Sequence, residues 1–161
     1  MKLVITDTDS IKINSSAETN IIGPNKAINK CVGCFGCWIK TPGRCVIHDG
    51  YEDMGHLISV SKEVIIISRN CFGCYSPFVK NVLDRSIPYL HADFIFKDGK
   101  MHHKIRYDNK FSLKVYFYGD MSEAEMKTAE GLVGFNAVNF GAADSEIHFL
   151  DSDERLEAIS V

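Results

Sequence analysis

The sequence predicts an α/β protein: a doubly wound, mostly parallel sheet of five strands, folded as one domain over residues 1–161. Three observations predict it. Strand-like runs alternate with helix-like ones along the chain, the pattern of layered α/β folds. The best strand, over 63–68, is a continuous β-branched run, as expected where both faces of a sheet are covered. At 161 residues, 18.0 kDa and 45% hydrophobic residues, the chain is one domain long. A chain of that size buries roughly 70% of its unfolded surface and needs no staples.

The elements follow in order. Leu3-Val4-Ile5 opens the chain as a strand, and Thr19-Asn20-Ile21-Ile22, stopped by Gly23-Pro24, is a short second one. A helix is expected over about 51–59, before the strand at 63–68. Ser76 followed by Pro77 is an N-cap with proline at the first helical position, where its missing N–H costs nothing. That helix should run to about Ser86, ending before Pro88. The stretch 87–111 has no clean period, and 94–97 pairs with 101–107 as a hairpin across Asp98-Gly99. This excursion reads equally as a dimer arm, a lid or an ordered surface loop.

Leu113 to Tyr118 is the next strand, stopped by Gly119. Ser122-Glu123-Ala124-Glu125 has the spacing of a capping box, and Met126, Ala129, Val133 and Ala137 continue it as an apolar stripe at helical period. Gly131 and Gly134 weaken that helix by roughly 1 kcal/mol each against alanine. Glu146 to Leu150 is the last strand, and Ser152 caps a short final helix. Five strands with interleaved helices make a doubly wound sheet of the flavodoxin type.

Charge and hydropathy exclude several classes. Eighteen Lys+Arg against 21 Asp+Glu leave a formal net charge of -3 and no basic block, so nucleic-acid binding by phosphate neutralisation is not expected. The longest aliphatic run, 64–67, is far too short to span a bilayer. The first residues turn polar too early for a signal peptide. The expectation is a soluble, cytoplasmic protein.

Cysteine is the unusual component. Six are present, all between Cys31 and Cys74. A reducing cytosol disfavours structural disulfides, so clustered thiols point to metal, redox chemistry or packing. Cys31, Cys34, Cys37 and Cys45 spell C-x2-C-x2-C-x7-C. Two-residue gaps let successive thiolates converge on an iron–sulfur cluster, and four thiolates also suit tetrahedral zinc. Against both stands simple packing: Gly33, Gly36 and the cysteines are small, and Trp38 beside them looks like core. Cys71 and Cys74 form a separate C-x2-C pair just before the Ser76 cap, which also permits thiol–disulfide chemistry.

Residues 31–45 resemble the NADPH-dependent FMN reductase branch of the flavodoxin-like superfamily, which includes the iron–sulfur flavoproteins. The resemblance continues in Cys71-Phe72-Gly73-Cys74-Tyr75-Ser76-Pro77, in Lys80 to Pro88, and in the stretch from His102-His103 to Arg106-Tyr107. It implies a five-stranded parallel sheet in order 2-1-3-4-5, FMN at the C-terminal strand edge, a homo-oligomer, and electrons drawn from a reduced nicotinamide or an electron-transfer partner. The loop after the third strand would wrap the isoalloxazine ring through Asn70, Cys71, Phe72, Gly73, Cys74, Tyr75 and Ser76, with Gly73 allowing close approach and Phe72 or Tyr75 a stacking face. Cys31, Cys34, Cys37 and Cys45 match the motif that holds a [4Fe–4S] cluster in the iron–sulfur flavoproteins.

The sequence departs from that family at the phosphate site. Relatives follow the first strand with a Gly-Ser-Pro-Arg-like turn and a helix that receives the FMN phosphate. Here Thr6-Asp7-Thr8-Asp9-Ser10 stands there, and the first crossover helix is missing or reduced: only about a dozen residues precede the next strand, and Ile11-Lys12-Ile13-Asn14 alternates like a strand. A phosphate about 4 Å from one aspartate costs roughly 4 kcal/mol at an effective dielectric near 20. Thr8 and Ser10 still offer hydroxyls, so FMN is expected to bind weakly or not at all. His48 is expected to be a surface or core residue rather than a ligand, and His102 and His103 are not expected to bind one ion together, since adjacent residues of an extended segment face opposite ways.

Three functions remain in view. The first is an FMN-dependent NAD(P)H oxidoreductase or electron-transfer flavoprotein. The second is a cofactor-free descendant of the fold that binds partners or regulates. The third is a [4Fe–4S] electron-transfer protein.

Overall fold

The computed structural model describes residues 1–9, 18–97 and 99–151. In chain order these form β1 (Lys2–Thr6), β2 (Thr19–Ile22), α1 (Gly36–Ile39), α2 (Met54–Ser59), β3 (Glu63–Arg69) and α3 (Pro77–Asp84). A 3-10 turn (Ile87–Tyr89) leads to β4 (Leu90–Lys97), β5 (Lys100–Ile105), β6 (Ser112–Tyr118), α4 (Glu123–Phe140) and β7 (Asp144–Leu150). The main sheet is parallel throughout, in order β2-β1-β3-β6-β7. With its flanking helices it is the flavodoxin-like α/β arrangement that the pattern of runs predicts.

Successive side chains of the central strands point to opposite faces, and in β1 and β3 both faces are buried. Leu3, Ile5, Val64, Ile66, Leu113 and Val115 face one layer, which α2, α3 and α4 complete with Ile58, Val79, Val82, Ala129 and Val133. Val4, Ile65 and Ile67 are buried on the opposite face beside Tyr116, Tyr118 and Leu150. A strand buried on both faces has no use for polar positions, which explains the unbroken aliphatic run in β3.

Both expected caps are formed. Ser76 Oγ accepts from the Val79 amide at 3.4 Å, with Pro77 opening α3. At α4, Ser122 Oγ accepts from the Glu125 amide while the Glu125 carboxylate accepts from the Ser122 amide. Two helices differ from expectation. α2 starts only at Met54, because the preceding residues turn on side-chain bonds: Asp49 accepts from the Tyr51 amide, Glu52 from the Gly50 amide, and the buried Tyr51 hydroxyl donates to the Gly23 and Lys26 carbonyls. α3 ends at Asp84 rather than Ser86, because the chain tightens into the 3-10 turn at Pro88.

β4 and β5 stand apart as an antiparallel hairpin, with Lys97 opposite Lys100 across the expected two-residue turn. Phe94, Phe96 and Met101 are exposed on it. Ser10, the 11–14 stretch, the first crossover, Asp98 and the helix after Ser152 lie outside the described residues. No helix among the described residues is long and apolar enough to cross a membrane.

Candidate functional site

The two cysteine-bearing segments contain the same tetrapeptide, Cys-Phe-Gly-Cys, at 34–37 and 71–74. In both copies the phenylalanine is left-handed: Phe35 and Phe72 each have φ 56°, and they are the only non-glycine residues with positive φ among the described residues. Sparsely populated backbone of this kind persists only where its surroundings over-determine it, and it gathers at functional sites. The two copies are built differently.

The first copy opens the short helix α1. Gly36 must be glycine, because a Cβ there would sit 2.6 Å from a methyl of Val46. That contact lets the returning chain pass close under the helix. The return is shaped by Thr41, whose hydroxyl donates to the Arg44 carbonyl at 2.7 Å, and by Gly43, whose amide donates to the Cys37 carbonyl at 3.1 Å. Cys45 is then held by its amide bond to the Glu52 carbonyl.

Cys31, Cys34, Cys37 and Cys45 consequently line one cavity of about 380 Å³, with Leu83, Arg85 and Ile87 from the end of α3 and the turn after it as its other wall. Cys31 and Cys34 are exposed, Cys37 and Cys45 buried, and all are free thiols. Burial pushes the Cys37 thiol above its ordinary pKa, and the neighbouring Cys45, Cys31 and Cys34 add to the rise. Among the described residues no three His, Cys, Asp or Glu side chains gather tightly enough to share a single metal ion. Trp38 is half-buried rather than core: its indole N–H donates to the Leu90 carbonyl at 3.1 Å, and its ring packs on Phe35 and His103.

Behind the cavity lies a buried ion pair that sequence reasoning missed. Arg85 donates to both carboxylate oxygens of Asp49, at 2.8 and 3.0 Å, and to the Asn29 and Ile47 carbonyls at 2.9 Å each. Arg85 holds the Asp49 carboxyl well below the usual carboxylate range, and the Asn29 and Tyr51 amides assist. Burial opposes the charge of Arg85, but Asp49 and Cys45 beside it outweigh that and raise its pKa. A signal for Arg85 exists in the sequence: it follows Val79 and Val82 at steps of three, on the face of α3 that is otherwise apolar.

The second copy closes a tight turn after β3. Cys71 and Cys74 exchange backbone bonds at 2.9 and 3.0 Å, and Phe72 and Gly73 both take positive φ, as a two-residue hairpin turn of primed type requires. Gly73 makes a close approach, but to the protein itself: a Cβ there would meet the Glu125 carbonyl oxygen of α4 at 2.8 Å. The loop is tied internally. Asn70 accepts from the Gly73 amide at 2.8 Å and donates to the Asp120 carbonyl, and the Ser76 amide donates to Ser68 Oγ at 2.8 Å.

Of the residues expected to wrap a flavin ring, Asn70, Cys71, Phe72 and Ser76 line a cavity of about 430 Å³ with Arg69, Pro77, Asp120 and Glu125. Gly73, Cys74 and Tyr75 do not. Tyr75 offers no stacking face to this cavity, because it is a core residue: its ring stacks on Phe117, its hydroxyl accepts from Asn136, and burial pushes its pKa up to about 12. Phe72 is 85% exposed and is the aromatic face available there.

At the expected phosphate position, Asp7 turns its carboxylate back onto the protein. It accepts from the Arg69 amide at 3.0 Å and from the Tyr118 hydroxyl at 3.0 Å. The Thr8 amide is used as well, by Thr6 Oγ1. Ser10 lies outside the described residues. His48 is exposed beside Glu52, while the His102 ring meets Asn139 and the His103 ring the His91 carbonyl.

Comparison with known proteins adds one likeness. Over 67 residues, 42% of the chain, the sequence is 34% identical to an iron–sulfur flavoprotein of Archaeoglobus fulgidus. The match spans 30% of that protein's length. No protein-family model matches the chain.

Proposed function

We propose that this protein transfers electrons, with an iron–sulfur cluster held by Cys31, Cys34, Cys37 and Cys45. The observation that carries the reading is their placement around one cavity of about 380 Å³. Thiolates around a single zinc ion stand within about 4 Å of one another, given a Zn–S bond near 2.3 Å. The cavity these four cysteines line is far larger than one tetrahedral ion needs, which suits a group of several atoms such as [4Fe–4S]. The partial likeness to an iron–sulfur flavoprotein supports the same chemistry.

Such a cluster would supply one-electron exchange. The chain would supply the ligands, two exposed and two buried, so that one side of the group meets solvent and the other the protein. Phe35, Trp38 and Leu83 would give it apolar flanks. The electron donor is then a small redox protein or a reduced nicotinamide acting through a flavin.

The second reading, an FMN-dependent NAD(P)H oxidoreductase, is favoured by the cavity at 69–77 and the exposed Phe72 ring. The described residues fit a flavin ring better than its phosphate. Asp7 takes up the Arg69 amide, Asp120 and Glu125 stand at the rim, and Arg69 is the single cation lining it.

Anaerobic reconstitution with ferrous iron and sulfide tests the first reading. The expected product is a brown protein with bound iron and sulfide in equal amounts, bleached by Cys34→Ser. A colourless protein that returns no iron after gel filtration would show the cavity to be packing alone. Titration of the same sample with FMN and with riboflavin tests the second reading: similar affinity for both supports a site for the ring without a phosphate anchor, and no fluorescence change with either removes the flavin.

A further inference from the structure

Arg85 has a donor to spare. Its side chain is 0% exposed, and four of its five N–H groups are committed to Asp49, Asn29 and Ile47. The fifth, on Nε, is buried and makes no hydrogen bond of normal geometry, while the Cys45 thiol stands close enough to favour the charge of the guanidinium. Native proteins leave few buried donors unpaired, and each asks for an explanation. The same side chain lines the cavity of the four cysteines, whereas Asp49 does not and holds the guanidinium from behind.

We propose that Arg85 is a positioning residue for the sulfur-rich group of this cavity, its Nε–H donating to a sulfur there, either a cysteine thiolate or an inorganic sulfide. The proposal rests on the cluster reading of the cavity given above. Sulfur ligands carry negative charge, and that charge grows when an electron supplied by an external reductant enters the group. A donor on a buried cation therefore favours the reduced state over the oxidised one and raises the reduction potential. Asp49 makes this possible geometrically: the two-pronged bond fixes the plane of the guanidinium, so Nε–H is aimed before any ligand arrives. A merely structural Arg85–Asp49 tie would work equally well with Nε facing a carbonyl.

The test uses the full chain reconstituted anaerobically with ferrous iron and sulfide. Arg85→Lys keeps a cation opposite Asp49 but cannot keep the fork and the extra donor together. Bound iron is expected to stay the same, while stepwise reduction with dithionite shows the equilibrium moved about tenfold towards the oxidised form, which is about 59 mV for one electron. Independently of any variant, wild-type protein carrying arginine labelled with nitrogen-15 at Nε should show that nitrogen coupled to the reduced group in pulsed EPR. This second measurement stands even where R85K fails to fold. An unchanged midpoint in R85K, or no nitrogen-15 coupling in the wild type, overturns the role of Arg85 and leaves the cluster reading intact. A wild-type protein that takes up no iron and sulfide overturns both.

Discussion

The two copies of Cys-Phe-Gly-Cys are the same four residues with the same left-handed phenylalanine, yet one opens a helix beside a cavity with an unmet donor and the other seals a turn whose polar groups are largely met. The difference lies in the neighbours. Gly36 packs against a side chain, Val46, and its cysteines look across open space at Arg85. Gly73 packs against the first turns of α4, at the Glu125 carbonyl and the Thr128 Cβ, and its cysteines bond to each other's main chain. A short motif thus specifies its backbone twist, while the segment that packs on it decides whether the result is a receptor or a closure.

The largest break in this contrast comes from Asp49→Ala, which strands Arg85 as a buried charge and should cost about 3–5 kcal/mol. Urea unfolding of the apo-protein measures it. The contribution has a pH sign. Asp49 titrates lower in the folded chain than in the unfolded one, so its stabilisation is fully present above the unfolded carboxylate value of about 3.9 and is lost as pH falls towards the lower folded value. The wild type should therefore lose stability more steeply below about pH 4 than Asp49→Asn does. Parallel curves would show that the pair is not the source.

The second break compares the glycines directly. Gly36→Ala should cost about 1–3 kcal/mol through overlap with Val46, and Val46→Ala in the same chain should recover most of it. Gly73→Ala adds a left-handed alanine, about 1–2 kcal/mol by itself, to an overlap with main chain that no side-chain change relieves. Rescue at one glycine and none at the other is the expected outcome of paired unfolding measurements. Rescue at neither would mean that the Val46 contact is not what requires glycine at 36.

How far the sequence reveals this depends on the range over which each cause acts. The β-branched run at 63–68, the Ser76-Pro77 cap and the Ser122 box are local causes, and all three appear as expected. The hairpin of β4 and β5 is local too, since its two strands are neighbours in the chain. The late start of α2 is less visible, because it follows from Tyr51 reaching carbonyls 25 and 28 residues away. Arg85 and Asp49 are 36 residues apart, and nothing in either segment names the other. Tyr75 misleads for the opposite reason: its place in a motif suggests a ligand face, while the tight turn at 71–74 swings it onto Phe117.

The smallest expected effect is the most selective. Ser122→Ala removes the side-chain cap of α4 and should cost about 1 kcal/mol. The first turn of α4 is also the wall on which Gly73 rests, through the Glu125 carbonyl. Loosening that turn should therefore speed amide exchange at Gly73 and Cys74, whose bonds depend on the loop staying closed, while the Ile39 and Lys40 amides, which bond back to the Phe35 and Gly36 carbonyls of the first copy, keep their protection. Equal loss at both copies would mean that the two segments open only with the whole fold, and the contrast between them would then describe packing alone. Loss confined to 71–74 would make the turn after β3 a separately opening unit, with the cysteine cavity on the more rigid side of the molecule.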